Sequence, residues 1–215
     1  TVKNGFDSFF GLDDAVTRLN FVYGIKDWLN IGVSRSSFQK IYQGSVKYRL
    51  LRQENGGFPV TIVGFNDILI NTGLDKANLP LIEFKHRLSY SAQLIISHKV
   101  DSKLSVALIP TLFHDNYVMI NEQDNTQYAI GAGARYKLGQ RWSVNVDYGH
   151  HLNRADTSPF NNPLSIGFDL ETGGHVFQMH FTNAQPMNTN GYLGQATGDW
   201  GDGDFYFGFN LSRRF

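Results

Sequence analysis

A period of two recurs eleven times along this 215-residue chain, and the connections between the periodic segments alternate between short and long. Apolar side chains at every second position mark β-strands with one oily face. The pattern predicts strands at 17–25, 29–35, 45–52, 59–71, 84–98, 104–112, 127–138, 142–152, 164–170, 175–181 and 205–214. In FKHRLSYSAQLIIS the oily members are Phe84, Leu88, Tyr90, Ala92, Leu94 and Ile96. In QYAIGAGARYKL they are Tyr128, Ile130, Ala132, Ala134, Tyr136 and Leu138, and in RWSVNVDYGH they are Trp142, Val144, Val146 and Tyr148. The last segment carries Phe205, Phe207, Phe209 and Leu211 on one face. Short connections fall at 25–29, 53–59, 98–104, 138–142 and 170–175; long ones fall at 35–44, 72–83, 113–126, 153–163 and 182–204. A soluble sandwich has no reason to sort its loops in this way. A transmembrane barrel does, with short turns on the periplasmic side and longer loops outside.

The opposite face supports the same fold. A soluble barrel points its oily face inward and exposes Lys and Glu. Here the second face is rich in small polar residues, among them Asn30, Gly32, Ser34, Ser89, Ser91, Gln93, Gly131, Gly133, Ser143 and Asn145. Such residues suit a hydrated or hydrogen-bonded lumen. Aromatics gather near strand ends (Tyr23 and Trp28, Phe84, Tyr128 and Tyr136, Trp142 and Tyr148), as interfacial girdles require. The predicted fold is an all-β, transmembrane, antiparallel up-and-down β-barrel forming a single domain over 1–215, placed in the bacterial outer membrane with the lipid bilayer as its first partner.

Zero formal net charge gives no bulk attraction to nucleic acid, and none is expected as a partner. The absence of cysteine excludes disulfides and thiolate metal sites. No apolar run approaches the roughly 18 residues of a membrane-spanning helix, and no secretory leader opens the chain. Parity adds an expectation. Single-chain barrels have even strand numbers with both ends in the periplasm. Eleven strands counted back from a periplasmic C-terminus leave residues 1–16 outside, so an ascending strand and a signal peptide are expected before Thr1, giving twelve strands in the complete protein.

The stretch 9–53, with its FGLD block at Phe10–Asp13, its hairpin YGIKDWLNIGVSRSS (23–37) and its KYRLLRQ segment (47–53), resembles a family of outer-membrane β-barrels of Bacteroidota. In that family an extra strand ending in a His-Arg-Phe-Gly-like segment precedes the FGLD block. The resemblance extends over most of the chain and weakens in the long loops. It implies the barrel and an additional first strand, and it carries no activity. The terminal Phe215 resembles the C-terminal aromatic signal read by the barrel assembly machinery.

Several constellations bear on chemistry. With the oily members facing lipid, Arg18, Lys47, Arg49, Lys85, Arg87, Arg135, Lys137 and Arg214 point into the lumen, opposed by Asp147 and Asp169. A basic interior favours anions. The competing explanation is pairing with carboxylates from an inward-folded loop or from the expected first strand, which suits a barrel narrower than the ~16–18-stranded porins. Asp199, Asp202 and Asp204 lie in a Gly-rich segment that could supply calcium ligands, but the spacing departs from an EF-hand and a polar surface loop is the default. His150 and His151 project to opposite strand faces and cannot chelate as a pair. His86 and His150 fall on the lipid face near the outer rim, while Ser89, Ser105 and Ser143 fall on the lumen face, and no G-x-S-x-G element is present. No enzyme activity and no cofactor are expected. The leading functional expectation is a small pore or transporter for polar or anionic solutes. The alternative is a plugged structural or interaction subunit of an outer-membrane complex, and a lipid-modifying barrel enzyme stands third.

Overall fold

The computed structural model describes residues 15–213 and Phe215. Eleven strands form one antiparallel sheet in which every neighbour in space is a neighbour in sequence. They are β1 (Arg18–Lys26), β2 (Leu29–Ser36), β3 (Ile41–Leu51), β4 (Thr61–Asn71), β5 (Leu88–Lys99), β6 (Leu104–Asp115), β7 (Thr126–Lys137), β8 (Trp142–His151), β9 (Leu164–Thr172), β10 (His175–Thr182) and β11 (Tyr206–Arg213). A short helix, α1 (Thr189–Gly194), lies between β10 and β11. No helix among the described residues is long and apolar enough to cross a membrane. Among the described residues β1 pairs only with β2 and β11 only with β10. The expected strand before Thr1, the Phe10–Asp13 block and Arg214 lie outside the described residues.

The burial pattern is inside-out. Leu94, Leu108, Ile130, Val146, Phe168, Phe207 and Phe209 are exposed large apolar side chains, whereas Ser34, Gln43, Asp67, Ser91, Thr111, Gln127, Ser143 and Asp169 are buried. A water-soluble domain would reverse these sets. In β11 the outward row Phe207, Phe209 and Leu211 is more than half exposed, so the terminal run of phenylalanines looks at lipid. Aromatic side chains mark both ends of the strands: Trp28, Tyr136 and Trp142 at the short-turn end, and Tyr128, Tyr148 and the Phe181–Phe205–Trp200 group at the other.

Two connections depart from the expected sorting. β3 begins at Ile41, so the connection before it is only 37–40, a 3₁₀ turn in which Gln39 and Lys40 take φ of +50°. The turn between β3 and β4, at 52–60, is longer than that. At the long-loop end the remaining connections are 72–87, 116–125, 152–163 and 183–205. β5 begins at Leu88 because Glu83 and His86 cap each other across a 3₁₀ turn, with the Glu83 amide donating to His86 Nδ1 at 2.9 Å. A local side-chain cap of this kind competes with strand pairing.

β4 and β6 also differ from simple alternation. Phe65, Leu69, Ile109 and Phe113 share the lumen side with Asp67 and Thr111, which narrows the wettable surface. Gly64 leaves β4 unbroken. The Tyr48 ring lies across it so closely that a Cβ would sit 2.3 Å from the ring, and the Tyr48 hydroxyl donates to Asn66 Oδ1 at 3.1 Å. The glycine thus admits an aromatic cover that satisfies a polar side chain on the outer wall.

The two faces give a direct mutational contrast. Leu94→Arg or Val146→Arg places a charge on the lipid face at a cost of ~2–4 kcal/mol near the midplane. Both should reduce the heat-modifiable, folded band recovered from outer membranes. Gln93→Ala and Asn145→Ala, on the lumen side, should leave it close to wild type.

Candidate functional site: a plugged lumen

The segment 183–205 turns inward at the long-loop end instead of extending away from the barrel. Asn183, Ala184, Asn188, Asn190, Leu193 and Ala196 are all buried. Asn188 starts α1 by accepting a hydrogen bond from the Gly191 amide at 2.8 Å, the ordinary role of an N-capping side chain. α1 then meets carboxylates from three alternating strands. Thr189 Oγ1 donates to Asp67 Oδ2 of β4 at 3.5 Å. Asn190 Nδ2 donates to Asp115 Oδ1 of β6 at 2.8 Å. Tyr192 donates its hydroxyl to Asp147 Oδ1 of β8 at 2.8 Å and lies 3.0 Å from Ser165 Oγ of β9. Burial, with the Asp147 charge beside it, pushes the Tyr192 phenol well above its ordinary range, so it remains a donor.

Arg18 ties the same segment to β1. Its guanidinium donates to the Met187 carbonyl, to Gln43 Oε1 and, at 3.2 Å, to Ser34 Oγ. Gln43 passes the contact on by donating to Asp67, so a neutral amide stands between guanidinium and carboxylate. The loop between β8 and β9 clamps the other flank. Arg154 Nη2 donates to the Asn161 and Leu193 carbonyls at 3.1 Å, and Asn161 bridges to Ala196 in a single antiparallel ladder contact. Apolar packing is small by comparison: Leu193 rests on Phe113 and Ala129, with Tyr192 beside them. Gly149 makes room for it, since a Cβ there would lie 2.6 Å from Leu193 Cδ2 and 3.0 Å from Pro163 Cγ.

The basic residues expected in the lumen separate into three groups. Arg18 is held by neutral acceptors, whereas Arg135 is ion-paired: it contacts Glu171 and Asp169, the latter at 3.7 Å, and donates to Ser143 at 2.9 Å. Lys47, Arg49 and Lys137 lie on the lumen side toward the short-turn end and form no ion pair among the described residues. Arg87 is at the outer rim, 3.4 Å from the Asn71 carbonyl. Lys85 requires a correction. It belongs to the capped turn before β5, is exposed, and pairs with Glu83 at 2.9 Å instead of lining the lumen. Asp147 is engaged by Tyr192, and Asp169 by Arg135 and Gln178.

Three lumen carboxylates were not expected. Asp67 sits in β4, where apolar residues on both faces hide the alternation. Asp115 and Glu171 lie where β6 and β9 run past their predicted ends. Asp199 folds back on its own turn, accepting from the Gly201 amide at 2.7 Å, while the Asp204 amide donates to the Asp199 carbonyl. Among the described residues no three His or carboxylate groups converge to hold a metal.

The model of the family described as "Membrane bound beta barrel domain (DUF5777)" covers residues 1–215. The chain belongs to this family. A solved structure of NanC porin superposes with a TM-score of 0.65 over 93% of each chain at 9% identity, which shows a shared barrel fold. No curated protein matches the chain. As a member of this barrel family with a porin neighbour, the protein is an outer-membrane β-barrel.

The plug contacts are testable one at a time. Tyr192→Phe leaves Asp147 without its donor, a loss of ~1–3 kcal/mol of local stability. Gly149→Val should displace Leu193. Both should raise amide hydrogen exchange in 187–196 while leaving exchange in β5–β7 near wild type, as followed by mass spectrometry.

Proposed function

We propose that this barrel is a narrow, gated pore for small polar or anionic solutes, with segment 183–205 as its gate. The observation that carries the reading is that the segment seats on the lumen side of β4, β6 and β8 through side-chain hydrogen bonds to Asp67, Asp115 and Asp147. A cavity of about 90 Å³ lies against α1, and a separate open pocket of about 610 Å³ lies among the short turns beside Arg141, Glu171 and Ser212. The plug is held mainly through polar contacts, each with a net worth of only ~0.5–1.5 kcal/mol against water. The wall behind it carries hydrophilic groups that water can satisfy when it moves. Lys47, Arg49 and Lys137 on the inner half give the path an anion preference. Nothing in this reading calls for catalysis by the barrel.

A plugged structural subunit is the second reading, favoured by the number of strands that grip the loop. Planar-bilayer recording separates the two. Wild-type protein should give rare, small openings. Replacement of 187–196 by a short Gly-Ser linker should give steady, anion-selective openings, and combined Lys47→Gln, Arg49→Gln and Lys137→Gln changes should abolish that selectivity. A linker variant that inserts and stays silent would establish the structural reading instead.

A further inference from the structure

At mid-strand the lipid face of the described strands is apolar, with one exception. Ile31, Val33, Leu94, Leu108, Val146 and Phe168 all point outward and are exposed. Outward polar side chains such as Arg35, His98 and His150 fall at strand ends, near water. Asn66 does not. It is the sixth of the eleven residues of β4, on the face opposite Asp67, and its cross-strand partners are Val46 of β3 and Ala92 of β5. Five residues separate it from either end of the strand, ~16 Å at ~3.3 Å per residue. The side chain therefore sits in the hydrocarbon layer.

A primary amide has two N–H donors and an oxygen that accepts twice. Within the barrel only the oxygen is answered. The Tyr48 hydroxyl, lying across Gly64, donates to Asn66 Oδ1 at 3.1 Å. Asn66 is half-buried, and its Nδ2, which forms no hydrogen bond among the described residues, is not sealed beneath neighbours as Arg35 Nη1 is. Acyl chains carry no acceptor, so these N–H groups face a medium that cannot bind them. On a soluble surface water would fill the deficit. Here only another protein surface at the same depth can.

We infer that the wall of β3, β4 and β5 around Asn66 is an interface with a second copy of this chain, its two-fold axis beside Asn66, so that each amide donates to the other's Oδ1. A primary amide is its own complement: half a turn brings the free Nδ2 of one copy to the second lone pair of the other's oxygen. The surroundings admit close approach. Ala92 leaves the flank toward β5 low, and Gly44 does the same one outward step from Val46 on β3. No charged side chain lies on this wall at that depth, so an ionic partner has nothing to meet. The contact leaves each lumen and its plug untouched, and it stands apart from the pore reading.

Sedimentation equilibrium of the complete protein in density-matched detergent, over a series of protein-to-detergent ratios, tests the contact. Wild type should reach a dimer at the high end of the series. Asn66→Leu should weaken association about tenfold, the loss of hydrogen bonds made inside the membrane. Leucine suits the lipid face, so this variant should fold, as heat-modifiable migration checks. Asn66→Gln keeps the amide and should retain the dimer. The wall itself is located by a second measurement. The chain has no cysteine, so single spin labels placed at Ile70→Cys on β4 or Phe168→Cys on β9 report distances between barrels by pulsed electron paramagnetic resonance. The labels at 70 should lie closer together than those at 168. The inference is overturned if wild type stays monomeric throughout, if folded Asn66→Leu associates as wild type does, or if the labels at 168 are the closer pair, which would put the contact on another wall.

Discussion

Hydrocarbon offers no hydrogen-bond partner to a peptide group, and everything else in this molecule follows from that. A chain that crosses lipid as strands must place each amide and carbonyl in a ladder. The sequential antiparallel order β1 to β11 does this with the simplest connectivity available. Once the outer surface is committed to apolar side chains, the polar half of every strand is forced inward. The interior then faces a problem that soluble proteins meet at isolated points: a whole wall of hydroxyls, amides and carboxylates that must be wetted or matched.

Segment 183–205 matches that wall at one end. Thr189, Asn190 and Tyr192 meet Asp67, Asp115 and Asp147, so neutral donors answer carboxylates contributed by every second strand. Neutral partners matter here. A buried ion pair must recover a large desolvation cost, whereas a hydroxyl or amide satisfies a carboxylate without bringing a second charge. Where a guanidinium is used, Gln43 stands between Arg18 and Asp67. On the inner half, Arg135 meets Asp169 and Glu171 directly, nearer to water.

Much of the barrel was legible in the chain because lipid on one side and polar groups on the other impose a strict period of two. β2, β8 and β10 fall within a residue or so of their expected positions. The errors have physical causes. β3 starts early because the 3₁₀ turn at 38–40 compresses a connection that residue types alone suggest is long. Lys85 left the lumen because Glu83 and His86 form a cap that strand periodicity does not reveal. Asp67 was hidden by Phe65 and Leu69 on its own face, which suit a plugged interior and would not suit a wide aqueous one. The inward fold of 183–205 was the least visible feature. Its residues are ordinary loop formers, and only the opposing wall, assembled from β1 and β4 to β9, turns them into a plug.

The plug also orders events during assembly. Its contacts reach far back along the chain: Arg18 to Met187 spans 169 positions, and Asp67 to Thr189 spans 122. Contacts of such separation form late, because the intervening chain must first be organised. Local hairpins such as β1–β2 or β7–β8 can register independently of one another, but α1 has nowhere to seat until β4, β6 and β8 stand in their final curvature. Docking of this helix therefore requires all three strands to be in register. A wall with one strand slipped by a single residue would turn its carboxylate toward lipid and leave the helix without its seat.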